Sequence, residues 1–161
     1  MTAQEPRARV AALFGRGPED AVGAYYALEH DARRTRLFVH PQEGAPRAVV
    51  AVCQTGLDLF RPLIVVRGEG EALREALRQA LVAGRGYLFS APLGAQHDLL
   101  AVAEVRDAQV AGVHALPAGA LKPVINLLTA VSRTPDGQFR AVIRGRDGAP
   151  AAEAGTSWVG A

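Results

Sequence analysis

Between residues 63 and 82 the apolar period of the chain changes once, and abruptly. Residues 63–66 read LIVV, a continuous apolar and mostly β-branched run of the kind a strand buried on both faces needs. From seven residues later the apolar positions fall at Leu73, Leu77, Ala80 and Leu81, with Arg74, Glu75 and Arg78 largely off that line. This is the stripe of an amphipathic helix, and it predicts a helix over 71–82. Between the two lies Arg67-Gly68-Glu69-Gly70, so strand becomes helix across a glycine-rich turn. A chain built around such a unit needs a sheet on one side of the helix and cannot be a plain bundle.

The flanking segments supply the rest of that sheet. Residues 35–40 (TRLFVH) and 47–55 (RAVVAVCQT) read as strands, separated by a turn over 42–46 that contains Gly44. With 63–66 they make an antiparallel meander. After the helix, Gly84 and Gly86 break the pattern, 87–90 reads as a strand, 96–105 as a helix and 109–116 as a strand ending at Pro117. The strand 63–66 is expected to be central and beside 87–90. Two short helices precede everything: 5–14, stopped by Gly15 and Gly17, and 18–30, opened by Pro18 with Glu19 and Asp20 in its first turn. Past a linker at 118–123 the pattern is strand only, over 124–133, 139–144 and 151–159. The fold class read from this order is α+β, a mixed and mostly antiparallel sheet flanked by helices, with a β-rich C-terminal extension.

Composition narrows the function. With 49% hydrophobic and 21% charged residues in 161, the chain can bury a core. The net charge of +2, from 18 basic and 16 acidic residues, is a poor footprint for nucleic acid, and none is expected as a partner. Lys122 is the only lysine, and the Ala, Gly and Arg richness reads as a GC-rich bacterial coding bias. No apolar run approaches the roughly 20 residues of a membrane span, and the N-terminus carries no signal-peptide pattern, so a soluble cytoplasmic protein is expected. The single cysteine, Cys53, excludes an internal disulfide and a multi-cysteine metal site, and the four histidines have no ligand spacing, so no metal is expected.

Helix–helix–three strands–glycine turn–helix–strand–helix–strand resembles the order of the GNAT superfamily of N-acetyltransferases. In that family the turn before the third helix has the form Arg/Gln-x-x-Gly-x-Gly/Ala and holds the pyrophosphate of acetyl-CoA. Arg67, Gly68, Glu69, Gly70, Glu71 and Ala72 fit that form here. The resemblance implies acetyl-CoA or another acyl-CoA as cofactor, bound on backbone N–H groups at a helix start. It also implies direct transfer to an amine, with Tyr25 and Tyr26 lining the acceptor cleft. No catalytic residue is assigned. The helix 96–105 has neither the Asn before it nor the Tyr within it that the family often uses to protonate the leaving thiolate. Residues 139–144 and 151–158 look like the early strands of a second such domain. The organisation that follows is a GNAT-like domain over 1–117, a linker over 118–123, and the start of a second unit over 124–161. It is similar to the N-terminal part of tandem bacterial acetyltransferases.

Three readings stay open. One is an acyl-CoA-dependent N-acyltransferase. The second is a catalytically inactive GNAT-like module serving assembly, its β-rich extension extending the first sheet or making a homodimer contact with Trp158 nearby. The third is a ligand sensor on the same scaffold. Other reactive groups have structural readings of their own. Cys53 lies in a buried strand, His30-Asp31 and His97-Asp98 suit surface or capping roles, and Asp58 is either a general base or a solvated loop carboxylate.

Overall fold

The computed structural model describes residues 4–56, 58–113, 115–117, 119–120, 128–135 and 137–155. They divide into two units, 1–114 and 115–161. Both helices and sheets are present, and the class is α+β.

In the first unit, β1 (Thr35–His40), β2 (Ala48–Cys53), β3 (Leu63–Arg67) and β4 (Leu88–Ser90) form one sheet in the order β1-β2-β3-β4. The first three are antiparallel neighbours. β4 runs parallel to β3, with Ile64 opposite Phe89. A parallel neighbour needs a crossover, and α3 (Gly70–Ala80) supplies it. The two-residue period of the strands then sorts the core into two faces. Ala48 and Val50 of β2 and Ile64 and Val66 of β3 pack with Leu73, Ala76 and Leu77 of α3 and with Leu99 of α4 (Gln96–Leu100). Ala51, Cys53 and Val65 point to the other face and pack with Ala27, Phe14, Tyr26 and Leu28 of the N-terminal helices. Because both faces are covered, β2 is buried almost throughout, as its unbroken apolar run requires.

The N-terminal helices are α1 (Gln4–Val10), continued by a 3-10 turn at Ala11–Leu13, and α2 (Pro18–Ala24). The last turn of the second helix widens to a π-turn over Tyr25–Glu29, closed by the His30 N–H donating to the Tyr25 carbonyl at 2.9 Å. α3 stops where Leu81 turns extended. The next N–H, of Val82, donates to the Tyr87 hydroxyl at 3.0 Å.

Two expected elements differ. The helix over 96–105 closes early, at Leu100, because the Leu99 carbonyl accepts from both Val102 and Ala103 and tightens the chain into a turn. The strand over 109–116 is not formed. Residues 109–113 and 115–117 adopt no regular structure and are exposed. Val110, Val113 and Leu116 recur every three residues, so a strand would split them between its two faces.

The second unit holds β5 (Thr129–Arg133), β6 (Phe139–Arg144) and β7 (Pro150–Gly155), an antiparallel sheet in that order. Val131 opposes Ala141, and Ala141 opposes Ala154. The parts of the expected strands at 124–127 and 156–159, with Trp158, lie outside the described residues.

Candidate functional site at the start of α3

The turn from β3 into α3 splits into two halves that face different ways. Arg67 is the last residue of β3. Its neighbour Val66 faces α3, so the strand alternation sends Arg67 to the opposite face. There its guanidinium pairs with Asp20, donates to the Glu19 carbonyl at 3.0 Å and lies 5.7 Å over the Phe14 ring. Burial lowers its pKa. Its Nε is buried and has no hydrogen-bond partner among the described residues. Arg67 thus ties β3 to α2.

Gly68 answers to a packing demand. Its φ is +103°, and a Cβ there would lie 2.5 Å from the Arg47 carbonyl oxygen and 2.7 Å from the Ala48 Cα. Only glycine lets β3 leave the sheet this close to the start of β2. Gly70 (φ +66°) has open space around its absent side chain. It begins α3 after Glu69, whose own side chain makes no cap.

The cap comes from a distance. Asp98, on α4, is 4% exposed. Its Oδ2 accepts from the Gly70 N–H at 2.7 Å, and its Oδ1 accepts from Arg74 Nη1 at 2.6 Å. A carboxylate therefore occupies the helix start, where dipole and free N–H groups favour negative charge. Arg74 is held in turn by Glu71, at 2.7–2.9 Å. Glu71 also accepts from Arg78 at 2.8 Å. Together Arg78 and then Arg74 hold the Glu71 carboxyl down to about 2. A pocket of about 480 Å³ opens beside this cluster, edged by Arg47, Glu69, Gly94 and His97.

Of the six residues whose pattern suggested a cofactor turn, Glu69, Gly70, Glu71 and Ala72 line this pocket, and Arg67 and Gly68 do not. Asp98, Arg74 and Arg47 complete it and were not singled out as binding residues. Their only signal in the sequence was the capping role read for His97-Asp98. Linking it to Gly70, 28 residues away, takes the folded chain.

Tyr25 and Tyr26 lie elsewhere, on the π-turn. Their rings meet edge-on at 5.0 Å, and Tyr26 stands 5.4 Å from His30. Tyr26 packs into the helix-side core, and burial raises its phenol pKa. Cys53 lies beneath it. Its thiol is buried, donates to the Tyr26 carbonyl at 3.6 Å, and is pushed up to about 11 by burial. That is an inert thiol, not a nucleophile. Asp58 accepts from the N–H groups of Phe60 and Arg61 and from Arg61 Nε, at 2.7–2.9 Å. These bonds, Arg61's first, lower its pKa and commit it to the loop.

Among the described residues no group of three His, Cys, Asp or Glu could hold a metal ion. No helix there is long and apolar enough to cross a membrane. Comparison with family models, with curated proteins and with solved structures finds no match to this chain.

Proposed function

We propose that the chain is a GNAT-like protein whose first unit is a catalytically inactive module serving assembly or ligand sensing. The GNAT-like part rests on the order of elements and on the β3–α3–β4 crossover behind an antiparallel meander. The inactive part rests on one observation: the Asp98 carboxylate already takes the Gly70 N–H and the Arg74 guanidinium. A diphosphate on Gly68 to Ala72 would have to displace this buried carboxylate or lie against it, with Glu69 and Glu71 adding two more negative charges. The other residues of the pattern support the same reading. Arg67 and Gly68 are engaged in holding β3 to α2 and to β2.

Calorimetric titration of the purified chain with acetyl-CoA tests it. No saturable binding is expected, and none in Gly70→Asp. Binding by the wild type that Gly70→Asp weakens would overturn the inactive reading.

The pocket itself favours a second reading. It opens on the right turn and carries Arg47 and Arg74 at its edge. If acyl-CoA enters there, the chain is an N-acyltransferase working by direct transfer, with Tyr25 and Tyr26 near the acceptor amine. The same titration separates the two.

A further inference from the structure

We draw no further inference here: the strongest candidate, the exposed apolar pair Leu59 and Phe60 on the loop between β2 and β3, carries no proposal because nothing in the structure shows what covers it.

Discussion

Single residues at the start of α3 carry consequences that can be weighed separately. Asp98→Ala removes both the cap on Gly70 and the partner of Arg74. A charged buried hydrogen bond is worth about 1.5–3 kcal/mol, and Arg74 is exposed enough to recover water, so a loss of about 2–3 kcal/mol is expected in urea unfolding. Asp98→Asn keeps an acceptor for the Gly70 N–H and should lose less. An Asn variant as unstable as Ala would mean that the ionic contact with Arg74, not the cap, holds the helix start. Gly68→Ala should cost about 2 kcal/mol or more, since its Cβ would meet main-chain atoms of Arg47 and Ala48 that have no room to move. Glu71 gives a pH signature. Its folded pKa lies near 2, below the ordinary carboxylate value of 4.5. A depressed acid contributes stability above its unfolded pKa and loses it as pH falls through the folded one. The stability gap between wild type and Glu71→Gln should therefore be constant near neutral pH and close between about pH 4.5 and 2. Salt should narrow it at every pH, because the carboxylate is exposed.

At the scale of elements, what could be read from the sequence follows what is local. β2, β3 and α3 were legible because each carries its own period over enough residues: a β-branched run for the strands, a four-residue stripe for the helix. Leu73 and Leu77 sit at the centre of that stripe and are fully buried against Ile64 and Val66. Leu77→Ala should cost about 2–5 kcal/mol, while Arg78→Ala on the solvent side should stay within about 0.5 kcal/mol; thermal unfolding of the pair checks this. Segments that depend on a partner were not legible. Residues 109–116 carry the apolar residues of a strand but split them, Val110 and Leu116 to one face and Val113 to the other, and those described stay outside the sheet. The candidate site divides in the same way. Its glycines are visible in the sequence, yet their reasons are not: Gly68 clears β2, and Gly70 receives a carboxylate from α4. The π-turn at Tyr25–Glu29 is a further case. Its sequence is an ordinary helix continuation, and the wider turn shows only in the folded backbone, in the His30 N–H bond to the Tyr25 carbonyl.

The whole molecule sets two units of very different self-sufficiency side by side in sequence. The first has a four-stranded sheet covered on both faces, and a core that includes Val10, Val49, Val50, Ile64, Val66, Leu73 and Leu77 at 0–1% exposure. The second has three strands, and Val142 is the only buried hydrophobic residue among those described there. Its register places Thr129, Val131, Arg133, Phe139, Ala141, Ile143, Ala152 and Ala154 on one face, while Val142 shares the other with the Arg140–Glu153 ion pair. That ion pair is exposed and adds little. Among the described residues this is a three-stranded sheet with a small core, marginal by itself, in which β5 and β7 are the outer strands that a further strand can join. Under the assembly reading a second copy of the chain supplies that cover, pairing alanine-rich face with alanine-rich face. Sedimentation velocity on the full chain and on a truncation ending at residue 114 decides the point. The truncation should be a folded monomer with a cooperative melt, because the described residues of its two buried clusters all lie at or before Val105. The full chain should sediment as a dimer, and Val131→Asp, which puts a buried-interface charge on that face, should return it to monomer without lowering the melting temperature of the first unit. A full chain that stays monomeric at every concentration, with the same melt as Val131→Asp, would remove assembly from the reading and leave ligand sensing by the first unit as its content.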